Sequence, residues 1–199
     1  MDAYDPLNYE TLAENIVRAI ETTPLGPLPP SERFVGAGVY AIYYQGDLEC
    51  YAPLVQKADP TPIYVGSAEA KGGRKGESVF APSRGYELSG RLGHHAASID
   101  AATNLRLEDF RCRYLVVLPA WIVVAERIML TKYQPLWNRV CDGFGMKNVG
   151  NKRLTGRRPR WDTLHPGRFW SENMSDGDSL ETILQSIDEV LCGAAPPEL

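Results

Sequence analysis

Apolar positions recur with two different periods along this chain, and the changes of period divide it into elements. From Tyr9 to Thr22, Leu12, Ile16, Ala19 and Ile20 fall on one side of a 3.6-residue repeat, which predicts an amphipathic helix. The run Pro24-Leu-Gly-Pro-Leu-Pro-Pro30 ends it and reads as a stiff connector. Gly38-Val-Tyr-Ala-Ile-Tyr-Tyr44 is rich in β-branched and aromatic residues and predicts a strand. Ile63-Tyr-Val-Gly66 predicts a second, shorter strand stopped by its glycine. Between them, Gln45 to Pro62 is an insertion punctuated by Gly46, Pro53 and Pro60.

Downstream, Ala68 to Arg84 is rich in Gly, Lys, Ser and Arg and reads as an exposed loop. Glu87 to Ile99 is helical in pattern despite Gly90 and Gly93. Phe110-Arg-Cys-Arg-Tyr-Leu-Val-Val-Leu118 alternates and then turns wholly apolar, as a central strand does. Trp121 to Tyr133 predicts a helix that stops near Pro135. A basic, Gly-rich segment from Asp142 to Arg168 follows. Asp178 and Glu181 then suggest a capping box for a last helix through Leu180, Ile183, Leu184, Ile187 and Leu191. This order predicts an α+β fold, a small, mostly antiparallel three-stranded sheet flanked by helices. One domain is expected over residues 1–199. Its core spans 36–138, with a helical extension at 1–35 and an arm plus helix at 139–199.

Composition changes that picture little. The chain has 199 residues, 44% of them hydrophobic, enough for one core. Apolar runs are too short to cross a membrane. Met1 to Asn8 lacks the basic-then-apolar pattern of a secretion signal, so a cytoplasmic protein is expected. Cys50, Cys112, Cys141 and Cys192 form no CxxC pair, and His94, His95 and His165 add no finger-like spacing, so no zinc site is expected.

Charge changes it more. The net charge of −4 argues against a polyanion partner, but its distribution argues for one. Lys147, Lys152, Arg153, Arg157, Arg158, Arg160 and Arg168 face only Asp162 in their stretch, a net of +6 that leaves −10 on the rest of the chain. Segregated charge of this kind is the footprint expected for a polyanion partner, although many such segments are merely solvated.

Candidate chemistry is carried by an ordered set of residues. Gly38-Val-Tyr40 and Tyr64-Val-Gly66 lie on the first two predicted strands. Arg91 and His95 are four apart and share a helix face. Glu126 stands within the apolar run Trp121–Leu130, where a carboxylate is costly unless it is paired, for example with Arg127 or Lys132, or binds a metal. Pro135-Leu-Trp-Asn138 closes that helix. Taken in order, these motifs resemble the GIY-YIG nuclease superfamily, with Val for Ile in each name-giving tripeptide. The resemblance covers Gly38 to Asn138, about half the chain, and departs from compact members in the Gln45–Pro62 insertion. Asp142-Gly-Phe-Gly145, Trp161-Asp and His165-Pro-Gly-Arg168 are further similar to the tail of GIY-YIG type II restriction enzymes that cut GC-rich palindromes.

That resemblance implies hydrolysis of phosphodiester bonds in double-stranded DNA at a CCGCGG-like site, leaving 5′-phosphate and 3′-hydroxyl ends. It implies one Mg²⁺, replaceable by Mn²⁺, on Glu126, with Arg91 on the phosphate. Tyr40 would orient or deprotonate the water, His95 would take the proton, Tyr64 would hydrogen-bond nearby, and Asn138 would support the site. Whether Tyr40 or His95 is the final proton acceptor stays open. The basic residues of the arm would bind DNA. A homodimer on DNA is expected, because one module cuts one strand and a palindrome is read by two copies. A homing or repair nuclease on the same module, and a catalytically inactive DNA-binding module, are the competing readings.

Overall fold

The structure is a computed structural model and describes residues 8–57, 59–70, 78–146 and 156–193. In chain order its elements are α1 (Tyr9–Glu21), β1 (Gly26–Pro27), β2 (Gly38–Tyr44), α2 (Ala52–Val55), β3 (Tyr64–Ala68), α3 (Glu87–Ala101) and β4 (Phe110–Val116). α4 (Pro119–Tyr133), α5 (Leu136–Arg139), α6 (Arg160–Leu164) and α7 (Leu180–Cys192) complete it. The fold is α+β, and among the described residues no helix is long and apolar enough to cross a membrane.

The sheet has four antiparallel strands in the order β1-β4-β2-β3, one more than the sequence predicts. The extra strand comes from the Pro-rich connector, where Gly26 lies opposite Cys112 and Pro27 opposite Arg111. Pro can serve there because an outermost strand needs no donor on its free side. β2 is central and pairs with β4 through all seven of its residues, Gly38 opposite Val116 to Tyr44 opposite Phe110.

Every residue of β2 is buried, although its side chains alternate between two faces. Tyr40, Ile42 and Tyr44 enter one core with Leu88 and Leu92 of α3, Trp137 of α5, and Trp161 and Ile187 from the C-terminal arm. Val39, Ala41 and Tyr43 enter another, against Ile20 of α1 and Ile122, Ala125 and Met129 of α4. Helices on both faces explain why β2 reads as a continuous apolar run rather than as polar–apolar alternation.

The terminal helices pack against the rest of the chain, α7 only in part, since its Leu180 and Leu184 stay exposed. α1, capped by Asn8, buries Val17 and Ile20 against α4 and β4. α7 buries Ile183 and Ile187 over α6 and the insertion that carries α2. The capping residue of α7 is Ser179, whose hydroxyl accepts from the Thr182 N–H, and not Asp178 as the capping-box spacing suggests. Asp178 has two arginine partners instead, which compete for its carboxylate. The arm, to which the sequence assigns no element before its last helix, also holds the short helix α6.

Candidate active site

β2 and β3 place two tyrosines side by side on one face of the sheet. Tyr40 is opposite Gly66 and Ile42 is opposite Tyr64, so the two rings come within 6.2 Å of each other. The glycine is required by that approach: a Cβ at position 66 would sit 2.4 Å from the Tyr40 hydroxyl oxygen. Above them, α3 presents Arg91 and His95 one turn apart, as their spacing predicts. The Tyr40 hydroxyl and His95 Nε2 are hydrogen-bonded at 2.6 Å. The Arg91 guanidinium reaches both tyrosine hydroxyls.

Electrostatics follow from burial. Tyr40 is fully buried, and burial holds its hydroxyl well above the ordinary phenol range; Tyr64 adds to the rise and Arg91 opposes it. Burial also raises Tyr64, again against the pull of Arg91. His95 is pushed well below the ordinary imidazole range by burial first, then by Arg91, His94 and Arg168. At neutral pH the pair is therefore a neutral phenol against a neutral imidazole, with the permanent cation of Arg91 beside them.

Glu126 reaches this group from α4, on the opposite face of the sheet. Its Oε2 accepts a hydrogen bond from the Ser67 hydroxyl on β3 at 2.8 Å, and its charge is felt at both Tyr40 and Tyr64. Neither of the paired cations that the sequence offers is used in this way; Lys132 bonds Glu21 instead. Among the described residues no three His, Cys, Asp or Glu side chains gather into a ligand cluster. A cation here would have one carboxylate, aimed by a hydroxyl, and would complete its shell with water and substrate oxygens. Mg²⁺ fits that donor set, since it keeps several waters and takes few protein ligands.

Asn138 serves the site indirectly. Its Oδ1 accepts from the Val65 N–H at 2.9 Å and its Nδ2 donates to the Val65 carbonyl at 2.8 Å. The amide thus pairs the outer edge of β3 as a further strand would, fixing the strand that carries Tyr64 and Ser67. Beside it, the Trp137 N–H bonds the Ile63 carbonyl.

The chain matches the model of the Eco29kI GIY-YIG domain over residues 32–191. It belongs to that family of type II restriction endonucleases. A comparison with individual curated proteins gave no match. The protein is thus a GIY-YIG nuclease of the restriction type, with DNA as its partner.

The arm of this GIY-YIG nuclease divides its arginines into distinct uses. Arg157, 66% exposed, and Arg160, 31% exposed, both bond the Asp178 carboxylate and flank an open pocket of about 360 Å³ with Arg139 and Arg158. Arg158 also donates to the Ser171 carbonyl. Arg168, counted from sequence among the DNA-binding residues, is only 4% exposed and pairs with the fully buried Asp162, so it has no free face for DNA. Lys147, Lys152 and Arg153 lie outside the described residues. His165 is buried in a structural network: its Nε2 bonds the Tyr51 hydroxyl at 2.7 Å and its Nδ1 the Asn104 Oδ1 at 3.0 Å. Sequence reasoning missed Ser67, although it directly follows Tyr64-Val-Gly66, and it gave Phe144 no place at the site.

Proposed function

We propose that this nuclease is a Mg²⁺-dependent type II restriction endonuclease that cuts both strands of DNA at a GC-rich palindrome of the CCGCGG type. Residues 36–138 act as the cutting core and 139–199 as the recognition arm, and two copies related by a twofold axis act on one site. The observation that carries this reading is the Tyr40–His95 hydrogen bond at 2.6 Å with Arg91 on the same hydroxyl. A buried phenol aimed at a neutral imidazole is a proton path, and it has no evident use in a module that only binds.

In this mechanism the imidazole of His95 accepts from Tyr40, leaving the phenol oxygen lone pairs for an incoming water. As the water oxygen bonds to phosphorus, its proton passes to Tyr40 while Tyr40 gives its own to His95 Nε2, so neither group has to be ionised beforehand. The bond from phosphorus to the 3′ oxygen breaks, leaving a 5′-phosphate, and the 3′ oxygen takes a proton from solvent. Arg91 offers a permanently charged fork to the phosphate oxygens, and Tyr64 holds Arg91 in line. Glu126 would hold a Mg²⁺, which would supply Lewis-acid stabilisation of the charge that develops in the reaction. Asn138 holds β3 in register.

Digestion of a plasmid of known sequence in Mg²⁺, with a chelator control and sequencing of the ends, tests the reading. It predicts discrete fragments whose 5′-phosphorylated ends map to one GC-rich palindrome. Binding without cleavage, or nicking at scattered positions, would contradict it.

A further inference from the structure

One buried group is not explained by the proton path. Arg168 has five N–H donors and all five are used internally. Its Nε and Nη2 bond the two oxygens of Asp162, its Nη1 bonds the carbonyls of Phe144 and Met146, and its Nη2 also bonds the Gly143 carbonyl. The rings of Trp161 and Trp170 lie over its guanidinium, each 4.5 Å from the carbon. Three of the five bonds therefore go to the backbone of one short loop, Gly143 to Met146.

That loop lies over the catalytic group. Phe144 is buried and stacks on His95, with centroids 4.5 Å apart and planes 23° from parallel, and meets Tyr64 edge-on at 4.9 Å. Gly145 passes so close that a Cβ there would be 2.8 Å from the Tyr64 hydroxyl, 2.9 Å from Arg91 Nη2 and 3.9 Å from His95 Cε1. Gly143 has φ of 92°, and a Cβ on it would meet Pro159 at 2.2 Å. Each member of Gly143-Phe-Gly145 thus has a reason: a left-handed bend, a stacking ring, and a bare backbone over the Tyr64 hydroxyl and the Arg91 guanidinium.

We propose that Phe144 and Gly145, clamped by Arg168, form a roof that keeps water off His95 and fixes Tyr64 and Arg91 beneath it, which makes Arg168 a positioning residue. The proposal rests on reading Tyr40, Tyr64, Arg91 and His95 as the catalytic group. A buried arginine–aspartate pair is a costly way to gain stability alone, since apolar side chains of similar volume often do better. What the fork supplies is the position of three carbonyls at once. A lysine, with a single nitrogen, keeps the charge and loses that geometry. The groups facing His95 are Tyr40 from β2, Tyr64 from β3, Arg91 and His94 from α3, and Arg168 from the arm.

The test uses full-length protein and three variants, Phe144→Leu, Phe144→Ala and Arg168→Lys, with circular dichroism to select those that fold. Nitrogen NMR of the imidazole groups follows the titration of His95 without DNA. Single-turnover cutting of supercoiled plasmid in Mg²⁺ and gel-shift affinity on a duplex carrying the cut site are measured beside it. In the wild type His95 should stay neutral well below the usual pH of about 6.5. Phe144→Ala and Arg168→Lys should move its midpoint up toward that value and slow cutting by roughly 10- to 100-fold at pH 7, with affinity nearly unchanged. Phe144→Leu, which keeps an apolar cover, should shift less. A His95 midpoint unchanged in every folded variant would overturn the roof. A midpoint that moves while cutting stays unaffected would leave the roof in place and contradict the proton path through His95.

Discussion

The Tyr40 hydroxyl oxygen lies 2.6 Å from Nε2 of His95, and neither side chain is more than 1% exposed. A phenol and an imidazole so placed exchange a proton with little rearrangement. Tyr40→Phe removes only the hydroxyl and preserves the ring packed against Tyr64. Cutting is expected to fall by about 10²- to 10⁴-fold, the usual worth of positioned proton transfer. Thermal melting and DNA affinity should stay near wild type. Single-turnover cleavage beside a gel shift checks this.

Ser67 bonds the carboxylate assigned to the metal. Groups that orient a metal ligand are typically worth 10- to 100-fold in metal affinity or activity. Ser67→Ala is therefore expected to raise the Mg²⁺ concentration needed for half-maximal cutting, with partial recovery at high Mg²⁺. Cleavage rate measured against Mg²⁺ concentration reads this directly. A curve superimposable on wild type would detach Ser67 from the site.

His165 gives a pH dependence of stability. Burial pushes its imidazole down to about 3 in the folded protein, against about 6.5 in an unfolded chain. Between those values the unfolded chain holds the extra proton, so stability is full above pH 6.5 and declines as pH falls. Each unit of pH costs about 1.4 kcal/mol for this one group. His95, buried and lowered in the same way, adds to the slope. Urea unfolding at pH 7, 6 and 5 should show the decline, and His165→Gln should remove about one proton's share of it.

The route from sequence to site was direct where chemistry and local pattern coincide. The four-residue spacing of Arg91 and His95 put them on one helix face, and the apolar pattern put Tyr40 and Tyr64 on strands, whose register in the sheet brings the two rings together. Asn138 was legible only as part of a motif, because its work is to hydrogen-bond Val65, seventy-three positions away in the chain. The fourth strand escaped because Gly26-Pro27 has no strand pattern and is held by its neighbour β4. The burial of Arg168 is not legible in the sequence for a related reason. Net charge cannot distinguish an arginine facing solvent from one enclosed by two indoles and an aspartate.

Arginines that do face solvent should separate into two kinds. Replacing one that contacts phosphate should weaken binding to all sequences and lower the salt slope by roughly one. Replacing one that grips guanine should relax specificity by about 1–3 kcal/mol. Arg157, mostly exposed, is expected in the first class, and Arg158 or Arg160, beside the pocket near Met146, in the second. Binding to cognate and scrambled duplexes at three salt concentrations sorts them. Uniform losses for all three would move base reading away from this pocket.

Glu126 decides whether the assembly is a metal-dependent nuclease. Glu126→Gln keeps the shape of the side chain and an oxygen for the Ser67 hydroxyl, and removes only the charge that would hold Mg²⁺. Cleavage of plasmid in Mg²⁺ and gel-shift affinity for the same DNA should be measured on one preparation of this variant. The account predicts cutting reduced below detection with affinity within a few-fold of wild type. Cutting in Mg²⁺ at near wild-type rate would contradict it.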